Sequence, residues 1–282
     1  MEQKIIALFD RYTHGGLNRR DFLERLTLLA GSTAAATALL PALENNYAHA
    51  EVVAENDPDI VAEMVEIAPG IKGYLVRPKA AGTYPAVLVI QENRGLNPHI
   101  KDVTRRVAKE GFIAFGADYL TPLGGTPADE EKAREMFKEL KPDAVVAFST
   151  AAVDALVKIQ GGNGKVGAVG FCWGGGAVNA LAVTGDPNLK AGVSYYGMQP
   201  KDGVAKITAP LMLHYASLDV RINAGIKDYE AALTADGKVF EAFVYDGVNH
   251  AFNNDTNAAR YNKEAADLAW GRTIGFFRKY LG

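Results

Sequence analysis

From about residue 61 onward, short apolar runs alternate with longer segments in which apolar residues have helical spacing. Several short runs are apolar at every position, as at residues 86–90 and 211–213, which is typical of strands covered on both faces. The pattern predicts strands over residues 61–67, 71–76, 85–91, 112–117, 165–171, 191–196, 210–216 and 239–245. It predicts helices over residues 99–110, 129–139, 143–160, 173–183, 224–235 and 262–280.

This alternation predicts the α/β class, with a mostly parallel central sheet and helices on both of its faces. The first two strands are joined by Ala68-Pro69-Gly70, which indicates an antiparallel hairpin. Residues 51–282 contain no internal repeat or low-complexity linker, so we predict one domain there. In such a sheet, ligands bind beyond the carboxyl ends of the strands, and candidate chemistry is sought in the residues that follow each strand.

The first fifty residues have a different pattern. Arg19 and Arg20 precede an apolar stretch over residues 26–40, and small residues at positions 48 and 50 match an A-x-A cleavage site. This predicts a twin-arginine-type signal over residues 1–50 and a periplasmic or otherwise exported protein that begins near Glu51. The alternative is a helical arm, capped by Asn18, that is retained on a cytoplasmic protein. Thr, Ser and Gly dilute the stretch, so we expect no stable membrane span.

Composition restricts the partners. The chain has 30 Lys and Arg against 33 Asp and Glu, a formal charge of -3, and no long basic run, which gives no reason to expect nucleic acid as a partner. A single cysteine excludes an intramolecular disulfide and a multi-cysteine zinc site. We expect a small-molecule substrate and no metal or organic cofactor, and we make no prediction of the oligomeric state.

The cysteine lies in the segment Gly170-Phe171-Cys172-Trp173-Gly174, between a predicted strand and a predicted helix. This fits the nucleophile elbow G-x-S-x-G with Cys in place of Ser. The positive end of the helix dipole lowers the pKa of a thiol at a helix N-terminus and favours the thiolate. The alternative is that Cys172 is a small buried apolar residue.

A cysteine nucleophile needs a histidine base, and that histidine needs an acidic partner. Only His250 lies in a loop after a late strand. The other histidines fall in the predicted leader, at a helix start or inside a strand: His14, His49, His99 and His214. Asp219 follows the predicted strand 210–216, which gives the chain order Cys172, Asp219, His250 that this elbow requires.

These residues, together with Gln91-Glu92-Asn93-Arg94-Gly95, Tyr195-Tyr196-Gly197 and His250-Ala251-Phe252, resemble the dienelactone hydrolase family over roughly residues 61–281. The family comprises the carboxymethylenebutenolidases of the α/β-hydrolase fold. The resemblance implies hydrolysis of a lactone or small ester through a Cys-His-Asp triad and a thioester. It implies that Glu92 holds the resting thiol, and that the backbone N–H groups of Asn93 and Trp173 form the oxyanion hole.

Enzymes of this family bind a substrate carboxylate with arginines, one of them shortly after the catalytic histidine. Here that stretch is Asn253-Asn254-Asp255, and Arg260 comes later. The candidate substrate-binding residues are Arg94, Tyr119, Tyr196 and Arg221. Two alternatives therefore stay open, a broad short-chain carboxylesterase without dienelactone specificity and a noncatalytic protein in which Cys172 senses redox state.

Overall fold

The computed structural model describes residues 1–47 and 51–282. The strands in these ranges are β1 Ile60–Ala68, β2 Ile71–Pro78, β3 Tyr84–Ile90, β4 Ile113–Ala117, β5 Gly162–Phe171, β6 Leu189–Tyr195, β7 Leu211–Ala216 and β8 Phe240–Tyr245. The helices are α1 Gln3–Thr13, α2 Arg19–Ala30, α3 Thr33–Leu43, α4 Pro98–Lys109, α5 Glu130–Phe137, α6 Pro142–Val157, α7 Trp173–Ala182, α8 Val220–Asn223, α9 Ile226–Ala235 and α10 Lys263–Leu281.

The strands form one sheet in the order β1-β2-β4-β3-β5-β6-β7-β8. β1 and β2 pair antiparallel, as do β2 and β4, whereas β4, β3, β5, β6, β7 and β8 are parallel to one another. The predicted α/β-hydrolase fold, with its antiparallel N-terminal hairpin, is confirmed. The largest difference in a strand boundary is at β5, which starts at Gly162 because that residue already pairs with Tyr84.

Apolar residues cover both faces of the sheet, which explains the strands without alternation. On one face, Val87 and Val89 of β3 pack in a cluster with residues of α4 and α10. On the other face, Leu88 and Ile90 of the same strand pack in a cluster with residues of α6, α7 and α9. Successive side chains of a strand point to opposite faces, so a strand between two helical layers must be apolar throughout.

Residues 1–47 form three helices that we call the N-terminal arm. Its apolar side chains make a cluster of their own, which comprises Ile5, Leu8, Phe9, Tyr12, Phe22, Leu26, Ala36 and Leu43, with Ala259 of the body against it. Asn18 caps α2 by accepting a hydrogen bond from the backbone of Asp21, as the arm alternative predicts.

Cleavage of a leader stays a prediction, and its candidate site, Ala48-His49-Ala50, lies outside the described residues. Within the described ranges, no single helix has both the length and the hydropathy to cross a bilayer. α2 and α3 together reach both, but the chain bends by 112° between them.

Candidate active site

Cys172 lies on the sharp turn between β5 and α7, with φ 55° and ψ −113°. This is a strained conformation for a residue with a side chain. Two flanking glycines make the turn possible, because a Cβ at Gly170 would collide with the backbone of Gly174, and one at Gly174 would collide with the carbonyl oxygen of Ile90. The predicted elbow geometry is therefore present, and it presents the thiol at the carboxyl edge of the parallel strands.

His250 and Asp219 follow β8 and β7, and the structure brings them together as the sequence predicts. His250 Nδ1 lies 2.5 Å from Asp219 Oδ2, and both side chains are buried. Asp219 Oδ1 also accepts a hydrogen bond from the backbone N–H of Ile222, which fixes the carboxylate at the start of α8. The other ring nitrogen, His250 Nε2, is buried and has no hydrogen-bond partner among the described residues.

A second histidine, His14 at the end of α1, also reaches the thiol. Its Nε2 lies 3.2 Å from Cys172 Sγ, and its ring stands nearly perpendicular to that of His250, with centroids 4.7 Å apart. Sequence reasoning missed this residue because it assigned residue 14 to the leader. The amphipathic spacing of Ile5, Leu8 and Tyr12, which predicts a packed helix, is the signal that could have placed it in the fold.

His14 has a carboxylate neighbour of its own. Its Nδ1 lies 2.8 Å from the carbonyl oxygen of Asp10 and 3.2 Å from Asp10 Oδ1. A carbonyl oxygen only accepts, so Nδ1 carries a hydrogen and Nε2 is the atom that faces the sulfur. The same carboxylate lies 3.9 Å from Arg221 Nε and 4.0 Å from Arg260 Nη1.

The charges in this cluster change the pKa of each member. Burial acts to raise the pKa of the Cys172 thiol, but charged His14 and His250 outweigh it and lower the pKa from 9.0 to about 6. Burial acts to lower the pKa of His250, but Cys172, Asp219 and Asp10 raise it to about 10. The pKa of His14 is also raised against burial, first by Cys172 and then by Asp10. The directions of these shifts all favour a thiolate beside charged imidazoles over a neutral thiol beside neutral ones.

Glu92 is the second residue after the end of β3, and its side chain is buried. Its Oε2 accepts a hydrogen bond from Asn254 Nδ2 at 2.8 Å, whereas Oε1 has no hydrogen-bond partner among the described residues. Among the described residues, the hydrogen-bond partner of the thiol is His14. That Glu92 holds the resting thiol thus stays a prediction.

A cavity of about 1000 Å³ opens beside the thiol. Asn93, Trp173, Tyr196 and Arg221 all line it, together with Cys172. The arm contributes part of the wall, namely Thr13, His14, Gly15, Leu17, Asn18 and Arg19. Asn93 joins arm and body, because its Nδ2 donates a hydrogen bond to the carbonyl oxygen of Thr13 at 2.8 Å.

Two of the candidate substrate-binding residues are not brought to this wall. Arg94 is buried and forms an ion pair with Glu130. Tyr119 is buried, and its hydroxyl lies 2.7 Å from Ser149 Oγ.

The cluster at the thiol also contains the ligand types that metals use. His14, Cys172 and His250 each offer one ligand atom, and these atoms lie within 4.8 Å of one another. No other such group of His, Cys or acidic residues occurs in the described part of the chain. Two of these residues, Cys172 and His250, supply the sulfur and the imidazole nitrogen that nucleophilic catalysis by a thiol requires.

Comparisons with known proteins agree with this geometry. A family model described as the dienelactone hydrolase family matches residues 71–281, and one described as YqhI-like matches residues 1–31. A protein of Methylorubrum extorquens named "Putative carboxymethylenebutenolidase" is 32% identical over 277 residues, which covers 92% of this chain and 94% of that protein. A protein of the same name from Synechocystis is 35% identical over 234 residues, which covers 75% of this chain and 92% of that protein.

A solved structure, "Putative Dienelactone Hydrolase" from Klebsiella pneumoniae, is 31% identical with a TM-score of 0.69. The alignment covers 78% of this chain and 99% of that chain. The sheet, the elbow and the sequence matches point to one conclusion. This chain belongs to the dienelactone hydrolase family and is a hydrolase of the α/β-hydrolase fold.

Proposed function

We propose that this enzyme hydrolyses carboxylic esters and lactones, with Cys172 as the nucleophile, His250 as the acid and base, and Asp219 as the residue that orients His250. The observation that carries the proposal is the convergence of the buried Asp219–His250 pair on the thiol at the elbow. An imidazole whose Nδ1 is held by a carboxylate presents Nε2 for proton transfer. A redox-sensing thiol needs neither the pair nor the chain order in which it occurs.

The reaction begins from a thiolate and a charged imidazole. The sulfur of Cys172 forms a bond to the ester carbonyl carbon, and the electron pair of the carbonyl moves to its oxygen. When the C–O bond breaks, the leaving oxygen takes the proton of His250 Nε2 and a thioester remains on Cys172. His250 then accepts a proton from water, the resulting hydroxide attacks the thioester, and the acid leaves as the thiolate is released.

The negative oxygen of each tetrahedral intermediate needs donors. We assign the backbone N–H groups of Asn93 and Trp173 to this role. Trp173 opens α7, where the first N–H groups have no partner within the helix. A donor of this kind typically contributes about 2.7–4 kcal/mol to the stability of the transition state.

The apolar part of the cavity wall favours uncharged substrates. Asp10 Oδ2 lies 3.9 Å from Arg221 Nε and Asp10 Oδ1 lies 4.0 Å from Arg260 Nη1, so the one negative charge of Asp10 partly offsets these two arginines. A substrate carboxylate would have to compete with a carboxylate that belongs to the chain itself. Much of the cavity wall is apolar, with Leu17, Phe137, Leu140, Val145, Trp173 and Met198. We therefore favour the broad carboxylesterase over an enzyme specific for the anionic dienelactone.

The test compares hydrolysis of neutral short-chain acyl esters, neutral lactones and cis-dienelactone by the wild type and by Cys172→Ala. We expect the wild type to prefer neutral substrates and Cys172→Ala to be inactive with an unchanged unfolding temperature. Intact-protein mass spectrometry during turnover should show a single added acyl group. Wild-type-like turnover by Cys172→Ala refutes the proposal, and a wild type without any hydrolysis supports the redox sensor.

We also propose that the N-terminal arm is retained in the working enzyme, because it supplies a wall of the cavity and one contact to the thiol. The competing prediction, an export signal cleaved before Glu51, would remove both. A cleaved signal would belong to an exported enzyme, and a retained arm is the alternative that goes with a cytoplasmic one.

A further inference from the structure

We propose that His14 is a second catalytic residue and that Asp10 positions it, so that the N-terminal arm supplies a dyad that holds Cys172 as a thiolate. This inference rests on the proposed function and deepens it. Two dyads then act on one sulfur atom, Asp219–His250 from the body and Asp10–His14 from the arm.

The geometry of the two dyads is the first support. His14 Nε2 and Cys172 Sγ are 3.2 Å apart, which is a hydrogen-bond distance for sulfur. In each dyad Nδ1 faces an Asp, at 2.5 Å for His250 and Asp219 Oδ2 and at 3.2 Å for His14 and Asp10 Oδ1. The carboxylate of Asp219 holds the ring of His250, whereas the ring of His14 is held by the backbone carbonyl oxygen of Asp10 at 2.8 Å, with the Asp10 carboxylate beside it. In both dyads the second ring nitrogen lies in the space around the sulfur.

The place of His14 on its helix is the second support. It is the C-cap residue of α1, where the negative end of the helix dipole stabilises a charged imidazole. A cation beside the sulfur favours the thiolate, whereas a carboxylate such as Glu92 would favour the thiol. An arm histidine therefore gives the resting enzyme the opposite charge state from the one that the family resemblance implies.

The body fixes the position of this helix end. Arg134 Nη1 donates to the carbonyl oxygen of Tyr12 at 2.6 Å, and its guanidinium lies 4.1 Å from the centroid of the Tyr12 ring. The Tyr12 hydroxyl donates to Glu131 Oε2 at 2.6 Å, and Asn93 binds the carbonyl oxygen of Thr13. These bonds involve the two residues before His14, so the imidazole reaches the thiol in a defined orientation.

The two dyads divide the work. His250 gives its proton to the leaving alcohol and takes one from water, so it is neutral for part of the cycle. His14 keeps its proton throughout and remains the cation beside the sulfur during that interval. When the thioester breaks, the sulfur leaves as a thiolate, and the N–H of His14 stabilises the charge that develops there.

The charged and titratable groups that surround this site come from every element packed against it. They are Asp10, His14, Glu92, Tyr196, Asp219, Arg221, His250 and Arg260. Arg221 and Arg260 lie beside the carboxylate of Asp10. The charges that lower the pKa of the Cys172 thiol are those of His14 and His250.

The experiment titrates the thiol directly. Cys172 is the only cysteine in the chain, so thiolate absorbance and the rate of iodoacetamide alkylation report on this one group. The variants are His14→Gln and Asp10→Asn, and the matched control is Lys4→Gln, which changes an exposed residue of the same helix. Because loss of a ring also changes access, the pH midpoint of alkylation is the readout rather than its absolute rate.

We expect His14→Gln to move the midpoint upward by about one pH unit or more, which lowers the thiolate fraction about tenfold on the acid side. Asp10→Asn should move it in the same direction by less, and Lys4→Gln should not move it. The acid limb of kcat/KM should shift with the thiol. In His14→Ala, free imidazole should restore part of the lost activity, an effect that a purely structural role of His14 does not produce.

Unchanged midpoints in both His14→Gln and Asp10→Asn, with folded proteins by thermal unfolding, overturn this inference. If one variant does not fold, the other carries the same test. The proposed function fails separately, through an active Cys172→Ala. An inactive Cys172→Ala together with a His14→Gln that titrates like the wild type removes the second dyad and leaves the first in place.

Discussion

The pH dependence of hydrolysis follows from the charges around Cys172. The thiol has its pKa lowered from 9.0 to about 6 by the two charged histidines, against the effect of burial. This difference corresponds to about 4 kcal/mol in favour of the thiolate. At pH 7 a thiol with a pKa of 6 is about 90% ionised, whereas one with a pKa of 9 is about 1% ionised.

The plot of kcat/KM against pH should fall on both its acid side and its alkaline side, and each of these two limbs has its own cause. As pH falls through about 6, the thiolate is protonated and kcat/KM should fall about tenfold per pH unit. As pH rises through about 10, His250 loses the proton that it gives to the leaving group, and activity should fall again. Both limbs belong to the coupled thiolate and imidazole, and the plateau between them is the range in which both are charged.

The assay measures kcat/KM for a neutral chromogenic ester across both limbs, at constant ionic strength and at a wavelength where product absorbance does not depend on pH. Circular dichroism at each pH separates loss of activity from loss of fold. An acid limb with its midpoint near 9, the ordinary value for a thiol, would refute the reasoning, because the histidines would then not act on Cys172.

Three further predictions concern the scaffold. Gly174→Ala should lose about 1–3 kcal/mol of stability and most of its activity, because the new Cβ would collide with backbone atoms that cannot move aside. The control Gly271→Ala has open space around the new Cβ and should be neutral or slightly stabilising. Equal unfolding temperatures of the two variants would contradict this prediction. Arg134→Ala removes bonds to the end of α1, so limited trypsin digestion should cut the arm faster than in the wild type; an unchanged rate would show that the arm does not depend on them. Sequencing of protein from its native host should find Met1 or the residue after it if the arm is retained, and Glu51 or a close neighbour if it is a cleaved leader.

The central sheet and the body half of the candidate site could be predicted because their signals are local. Each buried strand is a continuous apolar run, and the strained turn at Cys172 requires glycines within two residues of it. The positions of Asp219 and His250 follow from a general property of parallel sheets, in which loops after neighbouring strands meet at one edge. No contact between distant residues had to be known in advance.

The arm could not be predicted in the same way. Arg19, Arg20 and the apolar residues that follow fit an export signal as well as a pair of packed helices, since both need apolar side chains. Which one applies depends on a surface for them to pack against, and the local sequence does not contain it. The contact of His14 with Cys172 spans 158 residues, and no spacing rule connects them.

The arm matters for anyone who produces this protein. Recombinant versions trimmed at residue 51, a natural choice if the first fifty residues are taken for a leader, would lose the contact of His14 with the nucleophile and a wall of the cavity. They would also leave Arg260, a buried cation, without the carboxylate of Asp10 beside it. Weak activity in such a preparation would describe an incomplete enzyme and would say little about which esters the whole chain accepts.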